Sequence, residues 1–594
     1  MIEPRIYRAA FVPALLAIVL VMFSLESRPK PLPQGLAADV VFDGDQATTT
    51  TRAVLAAGRD RRAGTAGDLA AAELVGRGFA ARGFTTRIDR FDDEGKELAN
   101  VVGRRAGKSR RQLLVVAARD ARGVPDAAGS AADTAALLEI ARVFEGRPSQ
   151  KTLALASVDG SALGELGTAR LAVKLGDPEL VDGAIVISGF GSRTSKPATI
   201  EAWAGNTNRA GIGLTRTVAE SLREEQGVAP EGAGPAGQLA RMAFPVGVGP
   251  QGVLLREGFD TVRIAGDGEL PDGGESAIGS LDARRFERLG RATLRTLTAL
   301  DAGPRPTRGP ESYVTSVSQV IPGWVLSVLA FTLILPALVA SVDAFARARR
   351  RREPIGAWLT WFGAGVLPFV IGLALVHGLA LVGAIDAPPD SPVAPDLYPL
   401  DAAGASVLAG AVLVVALSWF ALRHLVRKAD PRLRELSTAP GAAVVVALAL
   451  SGSVLVLWAV NAYSALVLVP ALHLWLLGIL FDPPPPRRAR MIMVLGGLLA
   501  PALLVFYDLV ILSLDPVSGA WYALLLVTGG HVSVASAIVA CVLAAVLCYT
   551  VAITRARPAL PPSGLRSDTP SVRGPASYAG PGSLGGTSSA LPPR

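Results

Sequence analysis

Residues 112–120 read QLLVVAARD, residues 131–144 read AADTAALLEIARVF and residues 152–159 read TLALASVD. The first and third are short, nearly uninterrupted apolar runs ending at an aspartate, as expected of strands covered on both faces. The segment between them places Ala136, Leu137, Ile140 and Phe144 on one side of a helix. Further out, residues 67–83 read as a helix, 98–104 as a strand and 184–187 as another buried strand. Residues 281–301 form a helical pattern with Phe286, Leu289, Leu297 and Leu300 on one stripe. Strands alternating with helices predict an α/β domain over residues 31–320, its mixed, mostly parallel sheet carrying helices on both faces.

The regions flanking this domain are of another kind. Of the 594 residues, 50% are hydrophobic and 18% charged, against about a quarter charged in a soluble chain. A wholly soluble enzyme and a wholly disordered chain are both excluded. Apolar runs at 9–25, 321–342, 355–382, 403–422, 442–460, 465–481, 491–512 and 532–553 each approach the roughly 20 residues that cross about 30 Å of hydrocarbon. The first, within an anchor over residues 1–30, reads as uncleaved: Arg5 and Arg8 precede it as in a signal peptide, but no small-residue cleavage site follows closely. The other seven make an all-α membrane domain over residues 321–555. Residues 519–531 are apolar but short, and read as an interfacial piece, a re-entrant piece or an extension of the last span. Residues 556–594, rich in Pro, Gly and Ser, are expected to form a disordered cytoplasmic tail.

Arginine placement orients the chain. Arg347 and Arg349 to Arg352 follow the second run, Arg423, Arg427, Lys428, Arg432 and Arg434 the fourth, Arg487, Arg488 and Arg490 the sixth, and Arg555 and Arg557 the eighth. The loop after the third run has Asp386, Asp390, Asp396 and Asp401 and no Lys or Arg. Positive loops stay cytoplasmic, so both termini are expected in the cytoplasm and residues 31–320 outside it, in a multi-pass protein of the cell membrane. The formal charge of +8 therefore reflects membrane loops, and no nucleic-acid partner is expected. The two cysteines, Cys541 and Cys548, both lie in the last run, so residues 31–320 hold no disulfide and no Cys metal site.

The order of Gly64-x-x-Gly67, Leu98 to Val102, Leu113 to Asp120, Ala135 to Arg142, Thr152 to Asp159 and Gly164 to Ala169 resembles the di-zinc aminopeptidase family. The segment 252–264, with Phe259 before Asp260, resembles a further region of that family. The resemblance spans roughly residues 60–300. It implies the fold, and it implies a site of two zinc ions held by His and carboxylates with a Glu base. That chemistry is missing here. The first His position falls on Ala118, the bridging Asp near Gly129 or Ser130, the Glu pair on Ser161 and Ala162, and the late Asp on Ser188. The closing His position falls within 273–279, which has none; His377, His424, His473 and His531 all lie in or beside the membrane region.

No catalytic residue is assigned on this reading, and no cofactor is expected; zinc enters only if the domain is an active peptidase. Asp120, Asp133 and Asp159 are the weak metal candidates, with Glu139 and Glu165 near the same sheet edge. These carboxylates read as caps, turn residues or a solvated rim, with a carboxylate-only Ca²⁺ or Mg²⁺ site as the alternative. Ser161 and Ser188 lack a His base and a Gly-x-Ser-x-Gly elbow. Residues 247–252 match Gly-x-Gly-x-x-Gly, but Pro245 and Pro250 favour a plain glycine turn. In the membrane region Asn461, His473 and Asp508 are the candidate ligand or partner residues, because polar groups at membrane depth often mark function; Tyr463 reads as an interfacial anchor.

Three functions remain open. One is a catalytically inactive, peptidase-like outer domain acting as a scaffold or binding module for a peptide or lipid-linked partner. The overall plan of one span, a large metal-poor domain and seven spans resembles the attachment subunit of the GPI transamidase, although the Ala- and Arg-rich composition looks bacterial. The second is an active membrane-bound zinc metallopeptidase. The third is a transporter or lipid-handling protein regulated by the outer domain.

Overall fold

The computed structural model describes residues 3–35, 41–230, 232–270, 274–385, 391–429 and 440–555. The tail expected to be disordered, Asp386 and Asp390 lie outside these residues. Seven strands form one sheet: β1 (Thr85–Asp93), β2 (Lys96–Arg105), β3 (Gln112–Ala118), β4 (Thr152–Val158), β5 (Val181–Ser188), β6 (Thr199–Glu201) and β7 (Thr261–Ala265). Their spatial order is β1-β2-β4-β3-β5-β7-β6. The central β4-β3-β5-β7 run is parallel, whereas β1-β2, β2-β4 and β7-β6 are antiparallel. The sheet is therefore mixed, and parallel only in its middle. β1 is the reason at one edge: it joins β2 through the two residues Glu94 and Gly95, with φ of 45° and 80°, and a turn that short can only make an antiparallel hairpin.

Side-chain alternation in the central strands sets two cores. Leu113, Val115, Ala117, Leu153, Leu155, Ile185 and Ile187 pack against the helices Ala132–Val143, Ile212–Gln226 and Ala283–Ala302. Leu114, Val116, Ala154, Ala156, Ala184 and Val186 pack on the opposite face against Leu166–Leu175 and Pro250–Arg256. The helices start where caps are available: Thr65 accepts from Asp68 N, and Asp282 from Arg285 N. The Gly-x-Gly-x-x-Gly segment follows the helix Pro235–Ala243 rather than a strand, and Gly249 at φ 105° turns the chain into Pro250–Arg256. It is a turn without the βαβ setting of a dinucleotide loop.

Among the described residues, eight helices are long and apolar enough to cross a membrane: Pro4–Phe23, Gly323–Arg350, Ile355–Leu381, Ala402–Ala429, Pro440–Val460, Ala462–Leu480, Arg487–Ile511 and Val534–Arg555. They are called the first to eighth membrane-length helices below. The fifth and eighth each have half of their most apolar window buried, while the fourth has none, so these two are central and the fourth is peripheral. Residues 519–531 contribute to a separate short helix, Pro516–Thr528, and do not extend the eighth. A small antiparallel sheet pairs Glu26–Ser27 with Gln319–Pro322, and that strand with Tyr313–Thr315. It ties together the points where the chain enters and leaves the α/β domain.

Candidate functional site

Parallel strands bring their carboxyl ends to one edge of a sheet, where loops are free to build a site. Here that edge carries Ala118, Asp120, Asp159 and Ser188, and the loop 121–131. A cavity of about 80 Å³ lies against it, lined among others by Asp120, Asp126, Asp133, Glu165, Arg263 and Asp267. Acidic groups do converge here, but the chain itself satisfies most of them. Asp120 accepts hydrogen bonds from Ser161 N at 3.0 Å, Ser161 Oγ at 3.0 Å and Ala162 N at 3.2 Å. The turn at Ser161 and Ala162 therefore faces Asp120 with donors. Asp133 accepts from Gly189 N and Phe190 N, both at 3.0 Å, and so fixes the turn after β5.

The loop 121–131 contributes Asp126 to the cavity lining, beside Gly129 and Ser130. Asp126 sits at φ 49° and accepts from Ser130 N at 3.0 Å and from Ser130 Oγ at 2.5 Å. The Pro125-Asp126 pair heading a run of small residues was the available signal. Glu139 is turned away from the cavity, accepting from Asp43 N at 2.9 Å and pairing with Arg142. Glu165, at φ 63°, accepts from Thr168 Oγ1 at 2.9 Å.

Behind the carboxylates lie buried arginines that local sequence reading passed over. Arg119, with no exposed side-chain surface, donates through Nε to Asp68 at 3.0 Å and through Nη2 to Asp68 at 2.5 Å and Ala99 O at 2.7 Å. Its Nη2 also lies 3.3 Å from Asp159. Arg61 donates to Arg119 O, Ser130 Oγ, Pro125 O and Asp126 O, binding the loop to the sheet edge. Asp159 in turn accepts from Ala99 N at 2.9 Å and Gly160 N at 2.7 Å.

Burial raises the affinity of these acids for protons. Burial, reinforced by the charge of Asp68, pushes Asp120 and Asp159 above the usual carboxylate range. Asp133 is raised well above it by burial, against the opposing hydrogen bonds from Phe190 and Gly189. Burial pushes Glu165 up to about 8.

The cavity is covered from the helical region. Between the third and fourth membrane-length helices, Val393, Ala394 and Leu397 line it, with Val393 6% and Ala394 2% exposed. Arg122 pairs with Asp396 on the same segment. The short helix Pro516–Thr528 supports this roof: Tyr522 Oη donates to Val393 O at 2.8 Å and Trp521 Nε1 to Tyr398 O at 3.2 Å. Beyond the roof a larger cleft of about 1020 Å³ opens between the α/β domain and the helices, and Asp267 lines both spaces.

The three polar candidates of the helical region are not brought together. Asn461 caps the sixth membrane-length helix, accepting from Tyr463 N and Ser464 N, and donates to Met242 O at 2.8 Å in the α/β domain. His473 uses both ring nitrogens, Nδ1 with Tyr7 Oη at 2.7 Å and Nε2 with Leu333 O at 2.9 Å. It joins the first, second and sixth membrane-length helices. Asp508 feels the charges of Arg241 and Glu269 at the domain junction. Tyr463 Oη donates to Ser312 Oγ at 2.8 Å. Among the described residues, no group of three or more His, Cys, Asp or Glu is arranged to hold a metal ion.

No protein-family model and no curated protein matches the sequence. Solved structures do. A glutaminyl cyclase from an Acidobacteriales bacterium is 18% identical, with a TM-score of 0.35, the match covering 46% of this chain and 99% of that one. A zinc aminopeptidase from Bacillus subtilis is 12% identical, with a TM-score of 0.34, over 45% of this chain and 98% of that one. A Zn-dependent exopeptidase from Parabacteroides distasonis is 16% identical, with a TM-score of 0.32, over 44% and 99%.

Proposed function

We propose that the chain is a multi-pass protein of the cell membrane whose α/β domain lies outside the cytoplasm and binds or positions a peptide or lipid-linked partner, without zinc peptidase chemistry. The observation that carries this reading is Asp120 accepting three donors from Ser161 and Ala162. Asp120 is thereby held by the chain's own donors, three hydrogen bonds on a group that accepts about four.

The residues present do not fit zinc. Residues 31–320 contain neither His nor Cys, the ligands that such sites rely on beside carboxylates. Asp126 and Asp133 are held by the chain's own donors, and the Arg119 guanidinium already supplies the buried positive charge next to Asp159. The orientation is supported by Arg349 to Arg352, Arg427 with Lys428, Arg487 with Arg488, and Arg555 at alternate helix ends. The plan resembles the attachment subunit of the GPI transamidase, from which only the idea of holding a partner at the membrane is carried over.

The test is catalytic. The full chain in detergent, supplied with zinc, is assayed for aminopeptidase and glutaminyl-cyclase activity. The expected result is no turnover above a zinc blank. Turnover abolished by a chelator and by Asp120→Asn would replace this reading with an active metalloenzyme.

A second reading, a lipid-handling protein regulated by the α/β domain, is favoured by one feature. This is an amphipathic cavity of about 460 Å³ where the α/β domain meets the helices.

A further inference from the structure

The cavity of about 460 Å³ lies between the fifth, sixth, seventh and eighth membrane-length helices and is overhung by residues 205–207 and 243–246 of the α/β domain. Its size falls in the range of about 300–1,000 Å³ usual for small-molecule sites. Its chemistry is graded along the helix axes. At the end next to the α/β domain stand Asn206, Thr207, Ser464, Ser533 and Ser536. Deeper, the walls are Val467, Leu468, Leu504, Val539 and Leu543. Leu543 lies seven residues beyond Ser536 on one helix, or roughly 10 Å at about 1.5 Å per residue.

The mouth is pre-shaped. Asn461 Nδ2 donates to Met242 O and Ser464 Oγ to Ala243 O, fixing the start of the sixth membrane-length helix under the overhang. No Asp, Glu, Lys or Arg is among the described lining residues, and the one ionisable side chain there is the imidazole of His531. Phosphate recognition relies on Arg or Lys, and neither lines this mouth. Amides and hydroxyls beside an apolar shaft instead match a ligand with uncharged hydroxyls at one end and a hydrocarbon chain at the other.

We propose that this cavity binds one membrane lipid with an uncharged, hydroxyl-bearing head group, its head at Asn206, Ser464 and Ser536 and one acyl chain running toward Leu543. A peptide is a poorer occupant, because the shaft offers no row of backbone partners. A second apolar groove of about 750 Å³, along Phe369, Val412, Trp419 and Phe420, lacks such a polar mouth and serves as the control surface. The inference deepens the reading of the chain as a binding protein and rests on it. Its failure would leave the absence of zinc-dependent turnover untouched, so the two fail separately.

The test places the full chain in phosphatidylcholine nanodiscs containing equal small fractions of monogalactosyl diacylglycerol and phosphatidylglycerol. The protein is released into detergent, and lipids retained per chain are counted by native mass spectrometry. Wild type and the control Val412→Trp are expected to retain one glycolipid. Val460→Trp and Ser536→Trp, which place an indole at the polar end of the cavity, are expected to lower retention about tenfold or more, since the indole obstructs the place of the head group. Each variant is compared only after its thermal unfolding midpoint matches wild type, and two filling variants guard against one failing to fold. Equal retention of phosphatidylglycerol, retention unchanged in the filled variants, or no retained lipid in wild type would each overturn the proposal.

Discussion

Replacing Arg119 by Met is expected to destabilise the α/β domain by about 3–5 kcal/mol, the range found when one partner of a buried ion pair is removed. The guanidinium is fully buried and serves Asp68, Asp159 and the Ala99 carbonyl together. Met retains most of the volume but none of the donors, leaving Asp68 in a low-dielectric site without its hydrogen-bonded guanidinium. Two comparisons isolate the cause. Arg62→Met breaks an ion pair with Asp60 whose side chains are 63% and 43% exposed, and is expected to change stability by less than about 1 kcal/mol. Adding Asp68→Leu to Arg119→Met is expected to recover much of the loss, because a buried pair replaced whole by apolar groups is often neutral. Thermal unfolding of the full chain in detergent reads all three. An Arg119→Met midpoint equal to wild type would show that the buried ion network is not structural.

The second large effect concerns Glu165 and depends on pH. Its carboxyl is pushed up to about 8, first by burial and then by Asp120, against opposing charges on Arg263 and Arg122 and the Thr168 hydrogen bond. A carboxyl raised in the folded state binds its proton more tightly folded than unfolded. Its contribution is fully present below the unfolded value near 4.3 and is lost as pH climbs through about 8. Asp120, Asp133 and Asp159 are raised and act in the same direction. Asp182 and Glu225 are lowered, so their contribution falls away only as the medium becomes more acid than the ordinary carboxylate range.

Stability should therefore decline between about pH 5 and pH 8. Glu165→Gln keeps an acceptor for Thr168 but has no proton to lose. It is expected to unfold like wild type at pH 5 and to be more stable at pH 8 by on the order of 4 kcal/mol, at 1.36 kcal/mol per pKa unit. Parallel unfolding curves at the two pH values check this. A variant that lost stability equally at both would show that Glu165 acts through packing alone.

How much of this was legible beforehand depended on the range of the interaction concerned. Runs such as 112–118 and 152–158 declare themselves because both faces are covered, and the membrane-length helices do so because hydrocarbon admits only long apolar segments. The edge strand β1 was missed: it reads TTRIDRFDD and is partly exposed along its length, so its apolar signal is weak. The antiparallel hairpin at one edge of the sheet followed from that strand and its two-residue turn, while the antiparallel strand at the other edge, Thr199–Glu201, is only three residues long. At the site, Asp120 was visible as a residue but its closure by Ser161 was not, since that contact spans 41 positions. Arg119 and Asp68 are 51 apart, and nothing local announces their pairing. Asp126 and Ser130 are only four positions apart, but the left-handed backbone that lets the one accept from the other leaves no mark in the sequence. His473 and Asn461 stood out as polar residues in apolar surroundings, yet their partners Tyr7 and Met242 lie hundreds of positions away.

The central claim is that the sheet edge carrying Asp120 and Asp159 holds itself together with the chain's own donors and guanidinium groups. The most direct measurement is zinc per chain by elemental mass spectrometry, on the full-length protein equilibrated with excess zinc in detergent and then desalted, beside Asp120→Asn. The account predicts no retained zinc above a buffer control in either protein. Stoichiometric zinc in wild type, lost in Asp120→Asn, would contradict it and would mean that Asp120 ligates a metal.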